Sequence, residues 1–321
     1  MKLDFDPRKN ITVFDNTVMP LKRVKDFLVI HRIVKNWQDI FLFRVGLKKP
    51  GFVMQLRNGK SININNQEDY FSFWETGVVD RLIEIKEKNN LIEFKFNGKV
   101  LRLYYDSQKQ LSNTVSMVKD QFIEQQYSWL DVKNKNVIDI GANIGDSAIY
   151  FALKGAKRVY AFEPYIYSYK IATKNIKLNR LQQRITLLNE GCSEKDESIK
   201  IDSRYKNFGG TDLKMFEKGK EIRITTLGEI IKRFNISYNS VLKIDCEGCE
   251  YGVLLGSKNS DLRKFEQIQI EYHYGYLNLK RKLEEAGFRV SKTLPKSILN
   301  LKAENREMLI GLLYAERAKH V

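Results

Sequence analysis

The sequence predicts an α/β fold built on a doubly wound parallel sheet, preceded by a small β-rich region. From residue 137 onward, apolar strand patterns alternate with helical patterns, as in parallel sheets with right-handed crossovers. Before that point the strongest patterns are those of short hairpins. We therefore divide the chain into a β-rich N-terminal region, residues 1–112, and an α/β domain, residues 113–321.

The N-terminal region carries the signature of two β-hairpins. Asn58-Gly59 and Asn97-Gly98 each separate two runs of strand character, and Asn-Gly supplies the positive φ that a tight hairpin turn requires. The paired runs are residues 52–57 with 61–64 and residues 91–96 with 99–105. A helix is predicted next, over residues 114–127.

The α/β domain is predicted element by element from the apolar periodicity. The predicted strands are residues 137–140, 158–162, 185–189, 241–245 and 267–272. The predicted helices are residues 144–153, 168–179, 227–234 and 277–286. Two strands without a full helix between them, residues 287–291 and 307–314, end the chain, and they predict an antiparallel hairpin on the sheet edge.

The amino-acid composition limits the classes of protein to which this chain can belong. Of the 321 residues, 43% are hydrophobic, which supports a sizeable core. No apolar run approaches the roughly 20 residues of a membrane span, and residues 1–6 include acids and lack the apolar core of a secretory signal. We expect a cytoplasmic protein. The net charge of +16 is spread along the chain, so it supports a nucleic-acid substrate only weakly.

The cysteines are Cys192, Cys246 and Cys249, too few for a zinc site made of four cysteines. Cys246 and Cys249 match the spacing of a C-x-x-C redox or metal motif. Because no second such pair exists, we interpret both as small space-filling side chains beside a strand end.

A glycine-containing turn between the first predicted strand and helix of the α/β domain predicts a cofactor site. Residues 141–146 read Gly-Ala-Asn-Ile-Gly-Asp. Gly141 and Gly145 allow a sharp turn, and the helix N-terminus offers unpaired N–H groups to a ligand. A dinucleotide fingerprint G-x-G-x-x-G would have glycine where Asn143 and Asp146 stand. Asp139, at the strand end, could accept a bond from an ammonium, which a methionine moiety carries and a pyrophosphate lacks.

Glu163 ends the second predicted strand, and Pro164 follows it as a helix start. A carboxylate at this place can accept hydrogen bonds from both hydroxyls of a ribose. An ordinary acid at a helix N-terminus is the simpler alternative. The glycine turn upstream favours ribose binding.

A second acidic group follows the strand predicted at residues 241–245. Asp245 and Glu247 should lie beyond the carboxyl end of the sheet, where doubly wound folds bind ligands. Glu271 and His273, at the end of the next strand, share a face and should approach the same cleft. His273 has the pKa suited to accept a proton from a hydroxyl, although a structural histidine bonded to a carbonyl is an equal alternative. These side chains could hold a divalent cation, but no tight ligand spacing demands one, and we predict no metal.

Together these segments resemble the FkbM-type methyltransferase family. The resemblance rests on the D-x-G-A-N-x-G-D pattern at residues 139–146, Ala-Phe-Glu-Pro at 161–164, the K-x-D-x-E-G-x-E pattern at 243–250 and the region of Glu271 and His273. It spans roughly residues 115–291 and says little about residues 1–110.

The resemblance implies a Rossmann-like class I methyltransferase fold, in which an antiparallel C-terminal hairpin is typical, and methyl transfer from S-adenosyl-L-methionine to a hydroxyl. The acceptor would be a sugar, a glycan or a small metabolite. Within the loop of residues 139–146, which includes Asp139, Ala142 and Asp146, the motif puts Gly141, Asn143 and Gly145 at the methionine end. It puts Glu163 at the ribose and, more weakly, Glu190 at the adenine. Asp245 and Glu247 would lie where methyl donor and acceptor meet, and Asp245, Glu247 or His273, with Glu271 beside them, would orient or deprotonate the hydroxyl.

Two other functions stay open at this point. An RNA methyltransferase would use the basic charge and Lys243 near Asp245, but it needs a clustered basic groove, and no basic run accompanies the aromatic residues 272–276. A non-catalytic module that binds the cofactor or a partner through the N-terminal region is the third choice. The sequence leaves a homo-oligomer open.

Overall fold

The computed structural model describes residues 6–12, 14–15, 34–44, 46–57, 59, 61–66, 69, 86–202, 218–300 and 306–318. Asn58, in the first predicted turn, lies outside these ranges. Within them, no helix combines the length and the apolar character that a membrane span needs.

The strands form the hairpins of the N-terminal region, the sheets of the α/β domain and the C-terminal end of the chain. In chain order they are β1 (Phe52–Gln55), β2 (Ser61–Ile64), β3 (Lys86–Lys88), β4 (Leu91–Phe96), β5 (Lys99–Tyr104), β6 (Asn136–Ile140), β7 (Arg158–Phe162), β8 (Ile185–Leu188), β9 (Gly191–Cys192), β10 (Glu197–Ile201), β11 (Lys220–Thr225), β12 (Ser240–Ile244), β13 (Phe265–Tyr272), β14 (Phe288–Lys292), β15 (Lys296–Asn300) and β16 (Arg306–Arg317).

A helix precedes the first hairpin, and further helices follow the second hairpin or alternate with the strands of the α/β domain. They are α1 (Trp37–Arg44), α2 (Gln108–Val118), α3 (Asp146–Leu153), α4 (Ile166–Leu178), α5 (Leu227–Arg233), α6 (Cys249–Gly256), α7 (Asn259–Leu262) and α8 (Leu277–Glu285). A 3-10 turn covers Pro7–Asn10, and a π-helical turn over Lys119–Ile123 continues α2.

The main sheet confirms the predicted fold class. Its strand order is β14-β16-β13-β12-β6-β7-β8, and β15 pairs with β16 off this path. The five strands β13, β12, β6, β7 and β8 run parallel, and β16 pairs antiparallel with both β13 and β14. The predicted C-terminal antiparallel hairpin is therefore present, with β14 at the sheet edge. Because β6 and β12 are neighbours, the glycine turn and the acidic residues after Ile244 emerge side by side.

Both predicted front hairpins are also present. β1 pairs antiparallel with β2, and β4 pairs antiparallel with β5. The helix predicted to start at residue 114 begins earlier, at Gln108, because the Ser107 hydroxyl caps it by accepting a hydrogen bond from the backbone N–H of Gln110.

A small sheet of β10, β11 and β9 lies between residues 189 and 227, where we predicted no strand. The polar and apolar residues of β10 and β11 alternate in burial, as a half-buried strand requires. Four buried isoleucines of these strands pack against Tyr165 and Ile166 at the start of α4; they are Ile199, Ile201, Ile222 and Ile224. The alternation of polar and apolar residues in these two segments is itself a strand pattern.

The main sheet buries a core on each face. One face carries Ile138 and Ile244 with the side chains of α5, α6 and α8. On the opposite face Val137 and Val241 pack with α3 and with the hairpin β4–β5. Since side chains alternate along a strand, both faces of these parallel strands are apolar, as a fully covered sheet requires.

The hairpin β4–β5 joins this second core although it precedes the predicted boundary at residue 112. Asn175 Oδ1 accepts a hydrogen bond from the backbone N–H of Tyr104 at 2.7 Å, and Asn179 bonds the backbone of Arg102 through both of its amide atoms. The first hairpin instead packs with α1 in a separate small cluster around Met54. The division at residue 112 stays a prediction. The second hairpin packs against one face of the main sheet.

Candidate active site

The glycine turn follows β6 and leads into α3. Gly141, Asn143 and Gly145 all adopt positive φ, at +82°, 45° and +85°. A Cβ at Gly141 would lie 1.7 Å from the carbonyl oxygen of Asp245, and one at Gly145 would lie 3.2 Å from the Cβ of Ala172. Both glycines therefore permit close packing of the turn on its own chain, in addition to the sharp turn that we predicted.

Lys243 links the glycine turn to the neighbouring strand. Its side chain is buried, and Nζ lies 3.0 Å from Asp139 Oδ1 and donates a hydrogen bond of 2.7 Å to the carbonyl oxygen of Gly141. The other carboxylate oxygen of Asp139 accepts a bond of 2.7 Å from the Ser147 hydroxyl. Burial lowers the pKa of Lys243, but Asp139 and Asp245 outweigh it, so its pKa stands above the usual value. Asp139 is thus held behind the turn, bonded to protein groups.

Glu163 closes the far side of the turn. Its Oε2 accepts a hydrogen bond of 2.8 Å from the backbone N–H of Asn143, and its Oε1 accepts one of 2.9 Å from that of Tyr165. The side chain is buried, and this burial raises the pKa of Glu163 to about 8. The same carboxylate therefore shapes the glycine turn and borders the space in front of it.

Of the remaining residues that we predicted to bind the cofactor, one lines the cavity and two do not. Asp146 is buried, and burial raises the pKa of its carboxyl to about 7. Glu190 forms a paired contact with the guanidinium of Arg233, at 2.9 and 2.8 Å. Ala142 is fully buried in the core that includes β4 and β5.

The acidic turn, residues 245–250, connects β12 to α6. Glu247 and Gly248 adopt left-handed backbone conformations, with φ of 59° and 120°. This turn brings the Cα atoms of Cys246 and Cys249 to 5.5 Å, and the two cysteines form a disulfide. Our interpretation of Cys246 and Cys249 as space-fillers is therefore wrong, because the left-handed turn places them within bonding reach.

His273 lies between two carboxylates. Its Nδ1 is 2.8 Å from Glu250 Oε1, and its Nε2 is 3.2 Å from Glu247 Oε2. Burial of the ring opposes the charged form, but Glu247 and Glu250 outweigh it and raise the pKa of His273 well above its usual value. The ring is therefore protonated at neutral pH, and both of its nitrogens donate.

Asp245 and Glu271 complete the acidic group. Asp245 Oδ2 accepts a hydrogen bond of 2.9 Å from the Tyr127 hydroxyl, and Glu271 Oε2 accepts one of 2.8 Å from the Gln126 amide. Burial, together with the negative charge of Asp245, raises the pKa of Glu271 to about 8. The residues from β12 and β13 that we predicted to approach one cleft do lie together.

A cavity open to solvent lies between the glycine turn and the acidic turn. Of the predicted site residues, its wall includes Gly141, Asn143, Asp146, Glu163, Asp245 and Glu247. The others lie behind this wall: Asp139, Ala142, Gly145, Glu190, Glu271 and His273. A concave site lined by apolar side chains and a few convergent polar groups is typical of small-molecule sites.

Sequence reasoning missed three residues of this site. Gln121 is on the π-helical turn, its side chain borders the cavity, and its buried Oε1 accepts no hydrogen bond from any described residue. Tyr127 holds Asp245, and Glu250 holds His273. Glu250 belongs to the quoted motif, which was a usable signal, whereas nothing in the sequence distinguishes Gln121 from an ordinary helix surface residue.

Three side chains offer a donor set for a metal. One ligand atom each of Asp245, Glu247 and His273 lies within 4.8 Å of the others. The absence of a metal remains a prediction of the sequence.

The family model described as the methyltransferase FkbM domain matches residues 139–290. These residues contain the glycine turn, Glu163, the acidic turn and His273. The match therefore covers the residues on which the sequence resemblance rests, and it stops short of α2 and the π-helical turn, which carries Gln121.

Similar proteins include a virus protein and an archaeal enzyme. The chain is 31% identical over 153 residues to uncharacterized protein 158B of Sulfolobus islandicus rod-shaped virus 1, covering 47% of this chain and 68% of that protein. It is 28% identical over 137 residues to hexuronic acid methyltransferase AglP of Haloferax volcanii, covering 43% of this chain and 55% of AglP. Among solved structures, TrmK of M. capricolum in complex with S-adenosyl-homocysteine has a TM-score of 0.39 and 16% identity, covering 61% of this chain and 68% of TrmK.

Proposed function

Because the chain belongs to the FkbM methyltransferase family, whose methyl donor is S-adenosylmethionine, we propose that it methylates a hydroxyl oxygen of a sugar, a glycan or a small metabolite. The observation that carries this proposal is the position of two carboxylates, Asp245 and Glu247, on the wall of the cavity that the glycine turn and Glu163 also border. This arrangement sets proton acceptors beside the donor site.

The donor side of the cavity fits S-adenosylmethionine. The ligand carries an ammonium group and two ribose hydroxyls, all of them hydrogen-bond donors. The cavity wall offers matching acceptors in the carboxylates of Asp146 and Glu163. Gln121 also borders the cavity, and its buried Oε1 has no hydrogen-bond partner within the part of the chain that the structure describes. We assign the ribose to Glu163 and the methionine end to Asn143, Asp146 and Gly141.

The acceptor side supports removal of a proton from a hydroxyl. S-adenosylmethionine supplies an electrophilic methyl group, so the protein must align the hydroxyl with it and accept the hydroxyl's proton. Asp245 and Glu247 are 24% and 28% exposed, which leaves their carboxylates open to a substrate. Tyr127 orients the first carboxylate and His273 the second.

His273 has a different task from the proton acceptor considered in the sequence analysis. Because Glu247 and Glu250 keep the ring protonated, it has no free lone pair to accept the hydroxyl proton at neutral pH. We therefore propose that His273 positions Glu247, and that Asp245 or Glu247 takes the proton. Glu271 lies behind them, where burial and the negative charge of Asp245 raise the pKa of its carboxyl.

Burial of Lys243 weighs against an RNA acceptor. Its side chain is only 1% exposed and its ammonium already contacts Asp139 and Gly141, so it is poorly placed to bind a phosphate group. The name of AglP, a hexuronic acid methyltransferase, is in keeping with a carbohydrate acceptor. The cytoplasmic location and a homo-oligomer stay predictions.

The proposal is tested by incubating the protein with S-adenosylmethionine labelled in its methyl group and a fractionated cell extract. We expect label in the glycan or small-metabolite fraction and none in RNA or protein. The Asp245→Asn/Glu247→Gln double variant should bind S-adenosylhomocysteine while transferring no label, since it keeps the donor contacts and loses both proton acceptors.

Label in the RNA fraction would overturn the choice of acceptor and favour the RNA methyltransferase. No transfer to any fraction, with intact cofactor binding, would favour the non-catalytic module. The exposed Glu221 lies on β11, so Glu221→Gln serves as a charge-matched control that should retain full transfer.

A further inference from the structure

The disulfide between Cys246 and Cys249 has no part in the function proposed above. It lies within the acidic turn, and both cysteines border the same cavity as Asp245 and Glu247. Their side chains are half-buried. A small thiol that enters the cavity can therefore reach the disulfide.

The size of the closed loop argues against a role in holding the fold together. The two cysteines are only 3 positions apart. A crosslink stabilises a protein mainly by restricting its unfolded chain, and this effect is smallest for the shortest loops. What this disulfide constrains is the local backbone between its ends, namely Glu247 and Gly248.

That backbone is held in a conformation which Glu247 would not adopt by itself. Residues other than glycine rarely occupy the left-handed region, and Glu247 has a φ of 59°. This conformation turns its carboxylate toward His273, with Oε2 at 3.2 Å from Nε2. The disulfide therefore supports the position of one of the two proposed proton acceptors.

A second connection runs through Glu250. Its Oε2 accepts a hydrogen bond of 2.9 Å from the backbone N–H of Gly248 and lies 3.5 Å from Cys246 Sγ. Its Oε1 contacts His273 Nδ1 at 2.8 Å. A sulfur atom in a disulfide has no hydrogen to donate, whereas a thiol is a weak donor. The oxidation state of Cys246 is thus coupled to the carboxylate that holds His273.

We propose that Cys246 and Cys249 form a reversible thiol–disulfide site whose state sets the conformation of the acidic turn. A dithiol is the class of reductant that fits. One of its thiolates attacks a cysteine sulfur, the S–S bond breaks, and a mixed disulfide forms. The second thiolate then displaces the remaining cysteine, which leaves two cysteine thiols and one oxidised, cyclic disulfide of the reductant.

Reduction removes the constraint on the acidic turn. Glu247 is then able to relax toward ordinary backbone conformations, and the Cys246 thiol competes with the Gly248 N–H for Glu250 Oε2. Because Gly141 packs directly on the carbonyl of Asp245, movement of the acidic turn also reaches the donor side. The reduced protein should therefore bind the donor product more weakly.

The inference that this site regulates catalysis rests on the proposed function, but the experiment needs no methyl acceptor. The full chain is reduced with dithiothreitol, freed of reagent, and compared with the same sample reoxidised by oxidised glutathione. Alkylation of the folded protein with iodoacetamide should modify Cys246 and Cys249 only after reduction. Hydrogen exchange in peptides over residues 245–256 should be faster in the reduced state. The affinity for S-adenosylhomocysteine should fall about fivefold, the effect of losing one hydrogen bond.

Two variants separate this site from the third cysteine. Cys192→Ser should keep the whole response, because Cys192 is buried and burial raises the pKa of its thiol. The Cys246→Ser/Cys249→Ser double variant should behave as the reduced protein under both treatments. A disulfide that resists dithiothreitol in the folded protein, or equal exchange and affinity in the two states, would overturn the proposal. Either result would leave the methyl transfer experiment unaffected.

Discussion

Glu250 binds both the ring and the backbone of His273 with a single oxygen. Its Oε1 lies 2.8 Å from Nδ1 and accepts a hydrogen bond of 3.1 Å from the backbone N–H of the same residue. Glu250 is fully buried at the start of α6, and His273 follows the end of β13. One carboxylate therefore fixes how the helix sits against the strand end and turns Nε2 toward Glu247.

The first prediction concerns the variant Glu250→Gln. It keeps the shape of the side chain and removes a charge-assisted bond, so the pKa of His273 should fall toward its usual value. Because Glu247 loses a fixed partner, we expect kcat for methyl transfer to fall about tenfold or more, as for a lost bond to a charged group. NMR titration of the His273 ring checks the pKa, and Glu221→Gln is the control. An unchanged ring pKa in the variant would contradict the assigned role.

The second prediction is a loss of stability with rising pH. Folding raises the pKa of His273 above its value in the unfolded chain. The contribution of this histidine to the free energy of unfolding is therefore complete below about pH 6.5, and it is lost as the pH rises through the pKa of the folded state. Buried Glu163 and Glu271, whose pKa values are raised to about 8, act in the same direction. Urea unfolding between about pH 6 and pH 9 should show this decline, and Glu250→Gln should show a shallower one. Equal slopes for the two proteins would show that His273 contributes nothing.

The position of Asp245 and Glu247 could be predicted from the sequence because parallel strands end at one edge of a sheet. That argument needs only an apolar run and the polar residues after it. The partners of these side chains could not be predicted in the same way. Gln121 reaches the cavity from the π-helical turn after α2, and the sequence pattern there is that of an ordinary amphipathic helix.

The disulfide shows a further limit of sequence reasoning. Whether Cys246 and Cys249 meet depends on the left-handed backbone of the residues between them. A glycine such as Gly248 is typical of a left-handed turn, but glutamate at 247 gives no such indication, because its conformation is imposed by its surroundings. The small sheet of β9, β10 and β11 is a different case. Polar and apolar residues alternate around Ile199–Ile201 and Ile222–Ile224, so the sequence itself contains a strand pattern there.

The third prediction tests the ribose assignment of Glu163. An ionised carboxylate accepts hydrogen bonds from ribose hydroxyls better than a neutral one, and burial raises the pKa of Glu163 to about 8. The affinity for S-adenosylhomocysteine should therefore increase about tenfold between pH 6.5 and pH 8.5 as the carboxyl loses its proton. Calorimetric titrations across this range measure the effect.

The variant Glu163→Gln supplies the matched comparison. It retains a side-chain oxygen but cannot ionise, so its affinity should be about tenfold lower at pH 8.5 and should rise less with pH than that of the unchanged protein. The exposed Asp196, which pairs with Arg223, provides the control Asp196→Asn. Normal binding by Glu163→Gln at the higher pH would contradict the ribose assignment.

The fourth prediction concerns Gln121, whose side chain borders the cavity and whose buried Oε1 has no hydrogen-bond partner among the described residues. On the same helical segment, Met117 Sδ lies 4.0 Å from Asn143 Nδ2, which brings the segment to the methionine end. The variant Gln121→Leu should weaken binding of S-adenosylhomocysteine about fivefold, because a buried acceptor of the ligand's ammonium is lost. Binding of methylthioadenosine, which has the nucleoside but no amino acid part, should be unchanged. An equal loss for both ligands would show that Gln121 acts on the packing of the cavity rather than on the ammonium.

The last prediction compares two glycines that share a backbone conformation but differ in their surroundings. Gly141 and Gly98 have φ of +82° and +75°, so alanine is strained at both to a similar extent. At Gly98 a Cβ would meet no atom within 4 Å, and Gly98→Ala should cost only the left-handed penalty, about 1 kcal/mol of unfolding free energy. At Gly141 the Cβ would lie 1.7 Å from the carbonyl oxygen of Asp245, so the glycine turn and the acidic turn must move apart. We expect Gly141→Ala to lose about 3 kcal/mol more than Gly98→Ala in urea unfolding and to bind S-adenosylhomocysteine poorly. Equal destabilisation by the two substitutions would mean that the two turns do not depend on their close contact.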